Sequence, residues 1–179
     1  MRTTPIKRLT SLIAVTALAG VGLTLATSTA AHADTISSCT GQVLASWNPG
    51  LTNTAQNELV YVYGDYLACV VNGTAEQVTT HLTNVSYSNV SCTSLATSGS
   101  GDLTIYYPDG STSHASVSTT ISLNLLGEVV QVASGTIDTG SYVGSTVTET
   151  NVLANLSTTA CASSNGVQGE SGESVLVMT

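Results

Sequence analysis

Hydrophobic and polar positions alternate most regularly over residues 117–125. Val117, Thr119, Ile121, Leu123 and Leu125 fall on one side, and Ser118, Thr120, Ser122 and Asn124 on the other. Successive side chains of a strand point to opposite faces, so this period of two predicts a half-buried β-strand. Looser alternation predicts further strands over 38–47, 58–71, 76–90, 103–107, 128–137, 145–156 and 175–178. The second of these is rich in Val and Tyr and is expected to bend near Gly64 and Asp65. Turn chemistry separates the strands: Asn48-Pro49-Gly50, the hairpin dipeptide Asn72-Gly73, Pro108-Asp109-Gly110, Gly127, and the stretch 140–144. Residues 93–101 and 163–172 are small, polar and glycine-rich and read as loops. No segment carries a helical period and no internal repeat is visible. About seven to nine short strands punctuated by turns predict an all-β domain, either an antiparallel β-sandwich or a Greek-key barrel.

The first 33 residues have a different pattern. Arg2, Lys7 and Arg8 are followed by an uncharged, mostly apolar run over 9–26, and Ala31-His32-Ala33 precedes Asp34. Positive residues, an apolar run and a small-x-small site are the signature of a cleaved secretory signal. The expected organisation is a signal peptide over 1–33 and one secreted β domain over 34–179. No Cys follows the site and no apolar span with basic flanks closes the chain, so free release is expected, with no membrane attachment after cleavage.

Charge sharpens this reading. The three basic residues all lie in the first eight positions, while all 11 acidic residues lie beyond residue 33. Phosphate backbones are held by Lys and Arg, so nucleic acid is excluded as a partner, and anionic lipid surfaces would repel such a chain. The acids are spread along the sequence, as expected of a solubilising surface. The four cysteines, Cys39, Cys69, Cys92 and Cys161, also lie beyond the signal. An even count in an exported chain predicts two disulfides. Four cysteines permit three pairings. Cys39 and Cys69 sit almost symmetrically about residues 50–57, which favours Cys39–Cys69 across a first hairpin and leaves Cys92–Cys161. Each bridge is expected to stabilise by about 2–4 kcal/mol. The smallest cysteine spacing, 23 residues, is far from the close pairs of a zinc site.

Cys39-Thr40-Gly41, Asn48-Pro49-Gly50-Leu51-Thr52, Gly99-Ser100-Gly101-Asp102-Leu103-Thr104-Ile105, Asp109-Gly110-Ser111 and Gly144-Ser145-Thr146-Val147 together resemble small secreted β-rich proteins of high-GC Gram-positive actinobacteria. The resemblance covers most of residues 34–179. It implies an exported sandwich and brings no site residues with it, since its motifs are turns and strands.

Catalytic constellations are weak. Gly169-Glu170-Ser171-Gly172 superficially resembles the surroundings of a chymotrypsin-like nucleophile, but only seven residues follow it and the chain is short for two barrels. No nucleophile elbow of the G-x-S-x-G type occurs. Asp102 and Asp109 flank a short strand and are the pair to consider for a carboxylate-based hydrolase. Turn-forming, solvated carboxylates explain them better. No D-x-D-x-D run or G-x-x-x-x-G-K loop is present. His81 and His114, 33 residues apart, read as surface residues. No catalytic residue, metal or cofactor is therefore assigned.

Phe is absent, and the aromatics are Trp47 and seven tyrosines, all rings with a polar handle suited to half-wet surfaces. The leading expectation is a non-enzymatic extracellular binding or interaction module. Its ligand would be a cell-envelope glycan or another secreted protein, with Trp47, Tyr106 and Tyr107 as candidate contacts. The alternative is an inhibitor of a secreted protease or glycosidase, with residues 48–57 as its loop.

Overall fold

The computed structural model describes residues 37–179. The expected secretory signal therefore lies outside the described residues. Within them the chain forms eight strands: β1 (Ser37–Leu51), β2 (Gln56–Val71), β3 (Thr74–Val90), β4 (Thr97–Tyr106), β5 (Thr112–Leu123), β6 (Glu128–Gly140), β7 (Thr146–Asn155) and β8 (Val167–Met178). A single turn of helix, α1 (Thr158–Cys161), precedes β8. Each strand pairs antiparallel with its sequence neighbours, and β1 pairs with β8 to close the sheet. The all-β expectation thus resolves to a barrel rather than two packed sheets. Its order is simple up-and-down, without the crossover of a Greek key. Closure leaves no edge strand to pair with other chains.

Alternation along the strands places apolar side chains inside. Val43, Ala45 and Trp47 of β1, Val60 and Val62 of β2, Leu103 and Ile105 of β4, and Val117 and Ile121 of β5 are all buried. Ser, Thr and Asn dominate the outward positions. A membrane-spanning barrel carries its apolar band outside, so this wall is built the opposite way. Leu123 and Leu125, assigned from sequence to the inner face of β5, diverge from it: Leu123 is partly exposed, and Leu125 stands fully exposed in the turn beyond the strand.

Bulges bend the strands into the barrel. Opposite β2, β3 has extra residues near Asn84 and Asn89, and both asparagines take left-handed backbone angles, φ 57° and 58°. Extra residues in one strand kink it and increase its twist. Asn72 and Gly73, both with positive φ, form the tight hairpin between β2 and β3 predicted from sequence.

The regions 93–101 and 163–172, expected to be loops, are strand in part. Residues 97–101 belong to β4 and 167–172 to β8. The two glycines of the β4 segment provide room for neighbouring side chains. A Cβ at Gly99 would lie 3.1 Å from the Tyr87 ring, and one at Gly101 would lie 2.6 Å from Val85. Helix α1 was also not visible in the sequence, being a single turn whose first amides are capped by Ser157 Oγ accepting from the Ala160 N–H at 3.2 Å.

Disulfides Cys39–Cys69 and Cys92–Cys161 are both formed. The first joins directly opposed residues of β1 and β2. The second ties the β3–β4 connection to α1 at the other end of the barrel. Nearby, Thr52 O accepts from the Cys92 N–H and Cys161 O from the Asn53 N–H. Two such bonds belong to an oxidising environment.

A candidate binding face on the outer wall

Strand pairing sets outward side chains in rungs across neighbouring strands. One rung runs Leu44 (β1), Tyr63 (β2), His81 (β3), Thr104 (β4), His114 (β5), each residue directly opposite the next. Its parity is opposite to the core: Val62 and Leu82, the neighbours of Tyr63 and His81, point inward. The His81 ring lies 5.2 Å from that of Tyr63 and 4.8 Å from that of Tyr106, tilted against both. These are attractive aromatic separations, and they hold three rings in one row on the surface. Tyr63 is 46 % exposed, Tyr106 39 % and Leu44 57 %.

Beside the row is a shallow groove of about 280 Å³, lined among others by Leu44, Ser46, Tyr61, Tyr63, His81 and Thr83. A larger groove of about 490 Å³ crosses β7, β8 and β1, but its lining of Thr40, Gln42, Thr150 and Glu173 includes no ring. The rung's far end is fixed by hydrogen bonds. His114 Nδ1 is 3.0 Å from Thr104 Oγ1, and its Nε2 is 3.2 Å from Thr112 Oγ1. Asp102, two residues before Thr104, accepts from Asn84 Nδ2 at 3.0 Å. Because no Lys or Arg occurs after residue 8, His81 and His114 are the only basic side chains on this wall. The face offers rings and hydroxyls with carboxylates at its margin.

Of the three residues expected to bind, Tyr106 is in this row. Trp47 and Tyr107 are inside, 3 % and 7 % exposed. Trp47 follows the inward parity of Val43 and Ala45, and Tyr107 that of Leu103 and Ile105. Tyr107 Oη lies 3.0 Å from Ser113 Oγ, and its ring meets Tyr142 edge-on at 5.5 Å. Burial pushes the Tyr107 phenol up to about 12. Sequence reasoning missed Tyr61, Tyr63 and His81, although their parity against the Val60–Val62 and Leu82 positions was a usable signal.

Other expected features have local partners. Asp109 Oδ1 accepts from the Ser111 N–H at 2.8 Å within its turn, and the Ser111 hydrogen bonds hold its carboxyl below the usual range. Asp102 is committed to Asn84, so the two carboxylates have separate bonding partners. Residues 48–57 are clamped to the barrel: Leu51 is fully buried, and Gln56 Nε2 donates to Gly50 O at 2.7 Å and Glu58 Oε1 at 2.8 Å. Ser171 lies exposed on β8. No cluster of three or more potential metal ligands occurs among the described residues.

Comparison with protein-family models, curated proteins and solved structures returns no match.

Proposed function

We propose that this chain is an exported, non-catalytic binding module that holds a neutral glycan against the outer wall of its barrel. The observation that carries the reading is the exposed row Tyr63–His81–Tyr106. Aromatic faces stack on the C–H faces of sugar rings, and the flanking Ser46, Thr83 and Thr104 hydroxyls suit sugar hydroxyls. A wall bordered by carboxylates and without Lys or Arg disfavours anionic polymers. Rings already packed on one another lose little freedom on binding. Export is supported by the signal-like residues 1–33 and by the two disulfides.

The test is retention of the oxidised domain on peptidoglycan, chitin and cellulose, followed by calorimetry with soluble fragments of whichever polymer retains it. Tyr63→Ala with Tyr106→Ala should weaken binding by tenfold or more, the scale of one well-placed anchor, while lowering the unfolding free energy by only about 0.4–2 kcal/mol, the loss of two cross-strand ring pairs. Retention unaffected by the double change, or no retention on any polymer, would remove the proposal.

A second reading, inhibition of a secreted enzyme, is favoured by one feature. The turn after β5 presents Leu125 and Leu126, the first 105 % exposed, on a frame where Asn124 Oδ1 accepts from the Leu126 and Glu128 N–H groups at 2.9 and 3.0 Å. A rigid apolar tip suits an apolar enzyme pocket. Inhibition of a panel of secreted proteases and glycosidases, abolished by Leu125→Asp, would support it. A panel unaffected at high excess would dismiss it.

A further inference from the structure

Polar side chains cross a largely apolar interior. Glu149 of β7 is completely buried. Its Oε1 lies 2.8 Å from Tyr66 Oη and 3.1 Å from Thr80 Oγ1, while its Oε2 has no hydrogen-bond partner. From Tyr66 the contacts continue to Ser174 Oγ at 2.6 Å and from there to Asn151 Oδ1 at 2.6 Å. Asn151 Nδ2 then reaches Gln131 Oε1 at 3.2 Å, and Gln131 Nε2 reaches Tyr87 Oη at 3.0 Å. Six residues from five strands form one chain, with side contacts from Thr80 to Glu149 and from Ser174 Oγ to Thr150 O at 3.2 Å.

Counting protons gives the chain a direction. The Asn151 and Gln131 amides each donate toward Tyr87, so Asn151 presents its oxygen to Ser174. That oxygen has no hydrogen to give, so the single Ser174 proton goes to it at 2.6 Å, the closer of the two acceptors, Thr150 O lying at 3.2 Å. Ser174 must then accept from Tyr66, which uses the single phenol proton. The remaining contact, Tyr66 to Glu149, is a hydrogen bond only if the carboxyl supplies the proton.

We infer that Glu149 is held as the neutral acid, and that its proton heads a one-way relay Glu149→Tyr66→Ser174→Asn151→Gln131→Tyr87 whose polarity reverses if Glu149 ionises. An ionised Glu149 would accept from Tyr66, Tyr66 would accept from Ser174, and both amides would have to turn over to restore every contact. The interior is thus a two-state device read by one proton. Its surroundings favour the acid state. No Lys or Arg exists after residue 8 to compensate a buried carboxylate. Glu149's register neighbours, Ala133 on β6 and Leu176 on β8, are uncharged. Gly41 of β1 packs on the Tyr66 ring. The titratable groups in the chain are the phenols of Tyr66 and Tyr87, and burial pushes both up, as it does Glu149. An unpartnered carbonyl oxygen is also far cheaper to bury than an unpartnered charge. The device goes beyond the outer-wall reading and does not depend on it.

The experiment is carbon NMR of the wild-type protein labelled in its glutamate carboxyl groups, titrated from about pH 4 to pH 8, the range spanning ordinary carboxylates. Glu149→Gln identifies the signal. The Glu149 carbon should stay at the position of a protonated acid while the exposed glutamates ionise. In parallel, the wild-type folding constant should fall with rising pH by up to tenfold per unit, the limit for one proton. In Glu149→Gln, whose amide can donate to Tyr66, the Glu149 share of that fall should be absent, leaving only the shallower slope of Glu170 and the remaining acids. A Glu149 carbon at the carboxylate position near neutral pH would overturn the inference. So would an unchanged pH slope in Glu149→Gln. If that variant does not fold, the wild-type titration decides alone, with Glu149→Asp identifying the signal.

Discussion

Gly64→Ala tests how the barrel interior makes room for its polar chain. Gly64 faces inward on β2, and the Tyr66 ring folds back across it. A Cβ added there would lie 2.4 Å from Thr80 Oγ1 and 2.8 Å from Tyr66 Cε2. The two atoms obstructed belong to the side chains that contact Glu149, so relief of the clash breaks those contacts. Overpacking a tight interior costs about 1–3 kcal/mol. Loss of two internal hydrogen bonds adds about 1 kcal/mol each. The sum, about 3–5 kcal/mol, is a large share of the 5–15 kcal/mol that typically holds a domain folded.

Two companion variants separate this steric effect from ordinary glycine effects. A Cβ at Gly169 on β8 would meet only Ala45 O, at 3.5 Å. Gly169→Ala should therefore stabilise by about 0.4–1 kcal/mol, through the reduced freedom of the unfolded chain. Gly73 has open space around it but φ of +79°, so Gly73→Ala should cost about 1–2 kcal/mol from backbone strain alone. Urea denaturation of all three with equal m-values gives the differences directly. A Gly64→Ala variant within about 0.5 kcal/mol of wild type, the usual range of a harmless surface change, would refute the tight packing at Gly64. Equal shifts in Gly64→Ala and Gly169→Ala would refute it as well.

Opening the second disulfide with Cys92→Ala and Cys161→Ala frees a loop closed across 69 residues, which loop entropy puts at about 4.4 kcal/mol. Opening Cys39–Cys69, across 30 residues, should cost about 3.7 kcal/mol on the same basis, and denaturation of the two double variants should reveal that order. The Tyr107 phenol, raised from 10.0 to about 12, binds its proton more tightly folded than unfolded. Its contribution is whole below pH 10.0 and is lost as pH rises through about 12. Tyr107→Phe should remove that part of the alkaline decline, and an unchanged decline would reject the assignment.

Much of the scaffold was legible because strand parity and turn chemistry are local. Val117, Thr119 and Ile121 face inward as their alternation requires, and Asn72-Gly73 forms its hairpin. The cysteine pairing followed from near-symmetry about one connection. Other features depend on what lies across the barrel. Gly99 and Gly101 look like loop residues until the Tyr87 ring and Val85 are seen against them. Register is equally hidden: an extra residue in β2 near Leu67 and Ala68, between the Asn72-Gly73 turn and the rung, decides that His81 stands opposite Tyr63, and no local rule places that bulge. A ring with a polar atom suits a half-wet surface, which by itself favours Trp47 and Tyr107 as contacts. Parity overrides that preference, since Tyr107 shares the inward side of Leu103 and Ile105 while Tyr106 takes the other.

The same charge pattern that disfavours anionic ligands predicts an unusual response to acid. Most domains lose stability below about pH 5 because protonation removes carboxylates from favourable pairs. Here no Lys or Arg after residue 8 can form such pairs. Glu149 is raised by burial, so its folded form binds the proton more tightly. Its contribution is complete below the ordinary glutamate range and is lost as pH rises through the folded value. Glu170, also raised by burial, acts in the same direction. Protonating the other exposed acids lowers the self-repulsion of a chain with 11 acidic residues beyond the signal. Asp109 opposes the trend, because its lowered carboxyl loses the Ser111 hydrogen bonds as pH falls. That group is fully exposed in a turn, where such a term is small. The balance predicts an unfolding midpoint at about pH 4.5 at least as high as at about pH 7.5, with the window set by the ordinary glutamate value below and neutrality above. Urea unfolding at constant ionic strength measures it. A steady loss of stability from about pH 6 downward, the common behaviour of paired carboxylates, would show that favourable carboxylate interactions outweigh both the neutral Glu149 and the relief of repulsion.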